Sequence, residues 1–337
     1  MSQNYKKLTQ PENVFSSFYG FLAGKKKKKD VIEFSVKLED NLFALSQSLQ
    51  SMAYQPGSYE SFYVRDPKVR LIHKASVPDR IVHHLVSQEL EKIFEPAFIR
   101  HSYSCRKQKG THRGVHALRN MALELRGNDQ KTVWALKCDI KKFFASVNHI
   151  VLSEILSRQI KDKDCLLLVS KIINGFPSGI PIGNLTSQIF SNIYLNELDT
   201  FVSQKLKIKD YVRYADDFVI LSRNRSYLES LLPKIAYFLK SKLNLDLHPG
   251  KIIFRKFRSG IDFLGYIVFP TQILPRTKTK RRLIRKIREK IEKYKEGKIT
   301  KEKLNQTIQS YLGYLKHANS YQFREKLKKS ILLWLNE

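Results

Sequence analysis

Two adjacent aspartates at a tight turn between two apolar segments most constrain how this chain can fold. Segments 211–214 and 218–221 have the short apolar composition of strands, and Ala215-Asp216-Asp217 joins them. Aspartate suits turns, so most pairs of this kind are only a turn. A second apolar run, 133–140, places Asp139 at the end of another predicted strand. If these strands are neighbours, Asp139 and Asp216 meet at one end of a sheet.

Carboxylates gathered at such a point have a specific chemistry. They repel one another and need cations to stay ionised. Hard oxygen ligands beside phosphate groups select Mg²⁺. Two such ions, about 3.5–4 Å apart, can activate an attacking hydroxyl and stabilise a leaving pyrophosphate. The aspartates therefore predict nucleotidyl transfer with two Mg²⁺ ions.

The charge of the chain agrees with a polyanionic substrate. Lysine and arginine number 61 against 31 acidic residues, a formal net charge of +30. This excess predicts an anionic partner, with nucleic acid ahead of a membrane surface. No apolar stretch reaches the roughly 18–20 residues of a membrane helix, and the start lacks a signal-peptide core. The three cysteines are too scattered for a disulfide framework or metal cluster, which predicts a reducing, cytoplasmic location.

Short apolar segments predict further strands. Segments 61–64 and 69–72 are typical of a hairpin whose tip is Arg65-Asp66-Pro67-Lys68. Segment 263–268 is expected to be one more strand. With the strands around Asp139 and Asp216, they predict a small sheet structure embedded in a largely helical chain.

Helical spacing of apolar residues covers most of the remaining chain. It predicts helices over 31–52 and 79–93, and another that starts near Ser187 after a Gly- and Pro-rich loop at 175–186. Segment 276–298 contains twelve lysines or arginines and three acidic residues along an apolar stripe. A basic helical hairpin is therefore expected near the C-terminus, where its charge favours contact with a duplex backbone.

Four motifs, taken in order, resemble those of reverse transcriptases. They are Asp139-Ile140-Lys141-Lys142-Phe143-Phe144, Ile182-Gly183-Asn184-Leu185-Thr186-Ser187-Gln188, Tyr214-Ala215-Asp216-Asp217, and His248-Pro249-Gly250-Lys251 followed by Phe263-Leu264-Gly265-Tyr266. A lone Tyr-x-Asp-Asp is weak support, whereas four motifs in the right order and spacing are strong. The resemblance runs from about residue 34 to residue 321.

This resemblance implies the fold and its parts. The expected class is α+β, a right-hand polymerase with fingers, a palm built on a small antiparallel sheet, and a helical thumb. The fingers would occupy residues 1–130 and return at 150–180. The palm would occupy 131–270 and the basic thumb 271–337. Together they would form one polymerase core.

The family also implies roles around the reacting phosphate. Asp139, Asp216 and Asp217 would bind two Mg²⁺ ions, and Ile140 belongs to the same metal set. Lys251 matches a lysine proposed to protonate the leaving pyrophosphate. With the three aspartates it forms the expected catalytic group.

On the fingers hairpin, Arg70 matches an arginine that contacts the triphosphate of the incoming nucleotide. Lys68 and Arg65 lie close enough in sequence to assist it. A single surface arginine is more often simply solvated, so this assignment depends on the hairpin forming.

The family places a ring that packs against the sugar of the incoming dNTP five residues after the first aspartate. Phe144 holds that position, although Phe143 or Phe144 could instead be a core aromatic. A bulky ring there excludes a 2′-hydroxyl, which implies a DNA product. Gly183 would let the backbone approach the incoming base, and Ile182 and Gln188 complete the expected substrate-binding set.

Two departures from the general family narrow the resemblance. Ile182 stands where glutamine is usual, and Gln188 where proline is usual. This variant resembles the reverse transcriptases of diversity-generating retroelements. These copy a template-repeat RNA into cDNA that is mutated at template adenines, and they use a small, basic, oligomeric helical accessory protein. Template RNA, the cDNA–RNA hybrid and dNTPs are the other implied partners. We hypothesise that apolar Ile182 lowers fidelity, because it removes a polar group that would order the nucleotide.

Alternative functions remain open at this point. Small reverse transcriptases also serve in phage defence and in retrons, and genomic neighbourhood would separate these roles. A basic RNA-binding protein that kept a polymerase fold without activity would be expected to have lost a carboxylate, yet all three aspartates are present. A membrane-surface protein is disfavoured, because the positive charge is spread along the chain.

Overall fold

The computed structural model describes residues 1–66 and 68–336, so Pro67 of the predicted hairpin tip lies outside the described residues. Helices form most of the described chain. They are α1 Gln3–Leu8, α2 Pro11–Leu22, α3 Lys29–Ser35, α4 Leu38–Gln50, α5 Val77–Phe94, α6 Thr111–Arg126, α7 Phe143–Ser146, α8 His149–Gln159, α9 Lys163–Asn174, α10 Leu185–Thr200, α11 Arg225–Leu243, α12 Thr277–Lys295, α13 Lys301–Lys316 and α14 Tyr321–Asn336.

The strands are short and form small antiparallel sheets. They are β1 Glu60–Val64, β2 Arg70–Lys74, β3 Trp134–Asp139, β4 Tyr211–Tyr214, β5 Asp217–Ser222, β6 Ile253–Lys256, β7 Ile261–Phe263, β8 Tyr266–Val268 and β9 Ile273–Pro275. The sheets have the orders β1-β2, β4-β5-β3-β6 and β7-β8-β9. The predicted α+β class is confirmed.

The chain forms two compact units, each assembled from separate stretches. The first comprises Met1–Cys105, Asp139–Ile208 and Pro233–Gly250, and the second comprises Arg106–Cys138, Lys209–Leu232 and Lys251–Glu337. Strand β3 belongs to the second unit up to Cys138, and its last residue, Asp139, opens a stretch of the first.

In the first unit, α5 packs against both α2 and α10. Its N-terminus is held by the hydroxyl of Ser76, which accepts a hydrogen bond from the backbone N–H of Asp79. The buried Asp79 carboxylate in turn accepts from the Tyr54 hydroxyl at 2.8 Å and from the Gly57 N–H at 3.1 Å. These bonds fix the start of α5, which follows β2 directly.

In the second unit, α6 packs against β4, β5 and β8. The C-terminal helices α12, α13 and α14 share an apolar core in which Leu283, Leu315 and Leu327 are buried. None of the described helices is both long and apolar enough to cross a membrane.

Several predicted elements differ from the structure. Segment 263–268 is a hairpin rather than one strand, because Leu264 and Gly265 have φ of 52° and 89°, the left-handed pair of a two-residue turn. The predicted helix 31–52 is interrupted at Lys37, where φ is −120° and ψ is 54°. The Asn41 side chain donates to the Phe34 carbonyl across this break.

Two further differences concern helix number and helix start. The basic C-terminal segment contains three helices rather than a hairpin of two, since α14 supplies Leu327 and Ile331 to the shared core. Helix α10 begins at Leu185, two residues before the predicted start, after Asn184 at its N-cap position.

Candidate active site

The turn that contains the paired aspartates is a two-residue connection between β4 and β5. Tyr214 pairs with Asp217, so Ala215 and Asp216 form the turn. Ala215 has a φ of 51°, in the left-handed region that costs a non-glycine residue about 1–2 kcal/mol. The fully buried Arg213 donates from Nη1 to the Ala215 carbonyl at 3.2 Å. A buried side chain therefore holds the strained residue beside Asp216.

Lys137 of the neighbouring strand β3 contacts this turn. Its ammonium lies 3.1 Å from the Asp217 carboxylate, and it also donates to the Asp262 carbonyl at 2.9 Å. Sequence reasoning missed this residue. The available signal was a charged side chain inside the apolar run 133–140, two residues before Asp139 and so on the same strand face.

The ion pair also shows which strand ends lie together in the four-stranded sheet. Strand β5 neighbours β3 in that sheet. Because Lys137 lies near the end of β3 and Asp217 is the first residue of β5, the end of β3 and the start of β5 lie at the same edge. Asp139 is the residue at which β3 ends. Asp139, Asp216 and Asp217 are each only half-buried.

In the first unit, the backbone around Asp139 pairs with the segment that precedes Lys251. The Asp139 carbonyl accepts from the His248 N–H, and the Lys141 N–H donates to the Asp246 carbonyl, each at 2.8 Å. Ile140 lies between these bonds in an antiparallel bridge to Leu247, with its side chain buried. The first and the last of the sequence motifs are thus joined by hydrogen bonds. Lys251 follows His248 by three residues and is half-buried.

The Gly-rich loop lies against strand β2. The Ile182 carbonyl accepts from the His73 N–H at 2.9 Å, and the His73 ring contacts Phe176 with 4.8 Å between ring centroids. Gly183 has a φ of 123°, and a β-carbon there would stand 2.7 Å from Cγ2 of Ile72. Packing against β2 therefore requires glycine at 183, a reason distinct from the predicted approach to a base.

Phe143 and Phe144 occupy different environments. Phe143 is buried against Tyr194, with 6.3 Å between centroids, whereas Phe144 is half-buried. The Phe144 carbonyl accepts from the Ile180 N–H at 2.7 Å. Gly179 has a φ of 68°, and a β-carbon at that position would overlap the Phe144 carbonyl. Phe143 is thus the core aromatic, and Phe144 has the exposure that a sugar contact needs.

The other predicted substrate residues are all at the surface. Arg70 begins β2, and Lys68 and Arg65 precede it on the hairpin; all three are exposed. Gln188 is exposed in the first turns of α10. Each is accessible to a ligand, and their convergence on one substrate stays a prediction.

His83 in α5 is the most buried histidine among the described residues, at 1% exposure. Burial lowers the pKa of its imidazole to about 4. This burial inside α5 is typical of a packed histidine rather than of a metal ligand.

The chemistry of the aspartates suits Mg²⁺. Within residues 1–66 and 68–336, no three His, Cys, Asp or Glu side chains already stand in metal-holding geometry. Mg²⁺ usually takes one or two carboxylates, with water and substrate phosphates supplying the remaining oxygens. Half-buried carboxylates at a sheet edge fit that requirement, because they remain accessible to water and substrate.

Comparison with known proteins adds independent information. The family described as "Reverse transcriptase (RNA-dependent DNA polymerase)" matches residues 65–268, more than half of the chain. Protein YkfC of Escherichia coli (strain K12) is 26% identical over 275 residues, 68% of this chain and 71% of that protein. The group II intron-encoded protein LtrA of Lactococcus lactis subsp. cremoris is 24% identical over 303 residues, 68% of this chain and 49% of LtrA. The chain therefore spans about half the length of LtrA.

Two further similarities are more distant or shorter. The retron Ec73 reverse transcriptase of Escherichia coli is 32% identical over 105 residues, 27% of this chain and 33% of that protein. Telomerase from Candida albicans, solved with a TWJ fragment of telomeric RNA, has a similar fold, with a TM-score of 0.50 and 14% identity over 70% of this chain and 49% of that one. The predicted right-hand polymerase class is thereby confirmed.

Proposed function

Since the chain belongs to the reverse transcriptase family, we propose that it copies an RNA template into DNA by nucleotidyl transfer. One observation carries this proposal. The Asp216-Asp217 turn opens β5 at the sheet edge where β3 ends in Asp139. Acidic side chains on these strands would supply the carboxylates that metal-assisted nucleotidyl transfer needs.

Asp139, Asp216 and Asp217 would hold two Mg²⁺ ions at this edge. Ile140 adjoins Asp139, and the two hydrogen bonds that flank its bridge use the backbone of its neighbours. When bound, the ions would activate the primer hydroxyl and stabilise the negative charge on the leaving pyrophosphate. Lys137 offsets the charge of Asp217 and limits the orientations of its carboxylate.

The remaining residues would bind and select the nucleotide. Arg70, assisted by Lys68 and Arg65, supplies positive charge for the triphosphate. The half-buried ring of Phe144 would exclude a 2′-hydroxyl and so favour dNTPs. Lys251 would donate a proton to the pyrophosphate, a role supported by the backbone bond that joins its segment to Asp139.

The loop around Ile182 supports a more specific role. Its sequence departs from the general family at Ile182 and Gln188, as in diversity-generating retroelements. We infer that the template is a repeat RNA and that the cDNA carries errors opposite adenine. The Ile182 carbonyl bonds to His73 and Gly183 packs against Ile72, so this loop adjoins the hairpin that carries Arg70. A small basic helical accessory protein would complete such a system.

A retron or phage-defence role is the second candidate. The 32% identity to the retron Ec73 enzyme over 105 residues favours it. Both roles share the polymerisation chemistry and differ in fidelity. An adenine-directed error spectrum supports diversification, and a uniform low error supports the retron or defence role.

Primer extension on an RNA template with Mg²⁺ and dNTPs tests the activity, with an Asp216→Ala/Asp217→Ala variant as control and the products sequenced. Extension that disappears in the control supports the proposal. Cognate RNA and an accessory protein are supplied in a parallel reaction. No extension under either condition would favour a non-catalytic RNA-binding protein.

A further inference from the structure

A positively charged cavity of ≈ 270 Å³ lies in the second unit at the other end of the sheet. It opens where β3 begins and β6 ends, since Trp134 pairs with Lys256 there. Strand β3 runs from Trp134 to Asp139. Five steps of about 3.3 Å make that distance about 16 Å, so the cavity is separate from the aspartate edge.

Four cationic side chains line this cavity, and its lining includes no aspartate or glutamate among the described residues. They are Arg126, Lys131, Lys256 and Arg258. Lys131 also pairs at 3.1 Å with Asp129, which lies outside the lining. The Lys256 ammonium stands 5.1 Å from the centre of the Trp134 ring. Lys131, Lys256 and Arg258 are exposed, so their charges face the solvent and an arriving anion.

The cavity is built on ordered backbone rather than on loose side chains. The Phe257 N–H donates to the Val133 carbonyl at 2.8 Å, and Phe257 itself is buried. The Lys131 N–H donates to the Arg126 carbonyl at 3.0 Å, and this bond holds the turn that follows the end of α6. On another side, the Pro270 carbonyl accepts from Arg119 at 2.8 Å. The two segments that carry the cations, and the Pro270 segment beside them, are therefore fixed before any ligand binds.

The size and lining define the chemistry of the ligand. Small-molecule sites usually have about 300–1,000 Å³, so this cavity suits one phosphate and its sugar better than a whole cofactor. Pro270, which is half-buried, gives the lining an apolar surface for a sugar, and the cations supply charge for the phosphate. Phosphate contacts from lysine and arginine supply most of the affinity of proteins for nucleic acids.

We propose that this cavity binds a backbone phosphate of folded RNA, as a second RNA site distinct from the catalytic edge. Its position suits a segment of the RNA that is not being copied, because the aspartates lie a strand length away. The site would tether the RNA molecule while its template segment is copied at the catalytic edge. This role goes beyond polymerisation and does not depend on the catalytic aspartates.

The test compares two triple variants of equal charge change in the Asp216→Ala/Asp217→Ala background. The first is Lys131→Gln/Lys256→Gln/Arg258→Gln, and the control is Lys205→Gln/Lys234→Gln/Lys242→Gln, three exposed lysines of the first unit. Affinity for an RNA hairpin is measured by fluorescence anisotropy over a range of KCl concentrations. We expect the cavity variant to bind the hairpin about tenfold more weakly. The slope of log K against log[KCl] should fall in magnitude by about one or two. The control should stay within about twofold.

Competition and activity measurements separate the alternatives. Inorganic phosphate or a nucleoside triphosphate that displaces the hairpin at micromolar concentration, only when the cavity is intact, would show a small-anion site and overturn the proposal. Equal losses in both triple variants would also overturn it, because bulk charge would then explain the binding.

In the chain with intact aspartates, the cavity variant should extend a primer on a short unstructured template at the parental rate. If neither the parental chain nor the cavity variant extends the primer, while the cavity variant still binds the hairpin more weakly than the control, the polymerase proposal fails and the RNA site stays supported.

Discussion

Two antiparallel hairpins carry the predicted functional residues, and they differ in how they are held. Every residue of β1 is exposed, and β1 and β2 form a sheet of their own. The hairpin of β4 and β5 lies in a four-stranded sheet, and its interior residues, among them Val212 and Phe218, are 0% exposed. One hairpin therefore displays its residues, whereas the other has its turn fixed by a core.

This difference matches the two tasks that we assign to the hairpins. A two-stranded hairpin alone is marginally stable in water, so β1–β2 depends on its base, where His73 bonds to Ile182. Such an arm can adapt to a substrate that arrives and leaves. Carboxylates that hold metal ions need a fixed position, and Arg213 and Lys137 supply it around Ala215 and Asp217.

The largest expected effect separates the two hairpins by kinetics. Asp216→Asn should lower kcat for primer extension by about 10³-fold or more, because it removes several kcal/mol of transition-state stabilisation. Arg70→Ala should raise KM for dNTPs about tenfold to hundredfold with a smaller change in kcat, because it removes ground-state binding. Steady-state extension over a dNTP series measures both constants. An equal loss of kcat in the two variants would contradict the division of tasks.

Matched truncations compare the stability of the hairpins. Phe218→Ala in β5 should lower the free energy of unfolding by about 3–5 kcal/mol, because the ring is fully buried. Phe62→Ala in β1 should change it by less than about 1 kcal/mol, because that ring is 44% exposed. Urea unfolding is followed by tryptophan fluorescence, which comes from Trp134 and Trp334 of the second unit, and by circular dichroism, which reports both units. Similar losses would mean that β1–β2 has a core of its own.

Lys137 tests whether the buried hairpin needs its counter-charge. Lys137→Met should reduce extension about tenfold to hundredfold, the usual effect of removing a partner that orients a metal ligand. The Mg²⁺ concentration at half-maximal activity should shift as well, and Lys137→Arg should restore most of the activity. A change in stability alone, with an unchanged Mg²⁺ dependence, would assign Lys137 a purely structural role.

Acid should weaken the helix that follows the exposed hairpin. The pKa of buried His83 is lowered to about 4 in the folded chain, against about 6.5 when unfolded. The unfolded state therefore takes up a proton first, and stability is lost as the pH falls from about 6.5 to about 4. At pH 5 the loss should be about 2 kcal/mol relative to pH 7. His83→Leu should remove this part of the pH dependence. Urea unfolding at pH 5 and pH 7 measures the free energy of unfolding of both chains. An equal loss between the two pH values in the parental chain and the variant would refute the prediction.

The smallest expected effect concerns fidelity at the base of β2. Ile182→Gln should reduce misincorporation opposite adenine about twofold to tenfold, the value of one net hydrogen bond that orders the nucleotide. Ile150→Gln, at an isoleucine 70% exposed in the same unit, is the control. Sequenced extension products give the error rates. Unchanged spectra in both variants would remove Ile182 as the source of error.

Local composition predicted the strands around the aspartates closely. The runs near Asp139 and Asp216 are bounded by polar residues and form β3, β4 and β5 within one or two residues of the predicted ends. The same reasoning missed the turn at Leu264-Gly265, because leucine rarely adopts the positive φ that this turn requires. It also missed α14, whose apolar stripe is recognisable only against its partner helices.

The candidate site was less predictable than the strands. Residue types and order indicated the aspartates, but nothing local shows that Lys137 reaches Asp217, because the contact joins residues far apart in the sequence. The cationic cavity likewise joins Arg126 and Lys131 to Arg258, which lies on a distant segment. Contacts of this kind depend on strand pairing, which a single sequence does not specify.

The close approach of Gly179 to the Phe144 carbonyl restricts how this lineage can change. Any side chain at 179 must displace the backbone of the residue that we assign to sugar selection. A substitution at position 179 would therefore reach the proposed sugar contact indirectly, by moving the backbone that carries Phe144. Descendants that accept ribonucleotides could reach that state by substitution at either position. Relatives that keep glycine at 179 should also keep a bulky aromatic residue at 144.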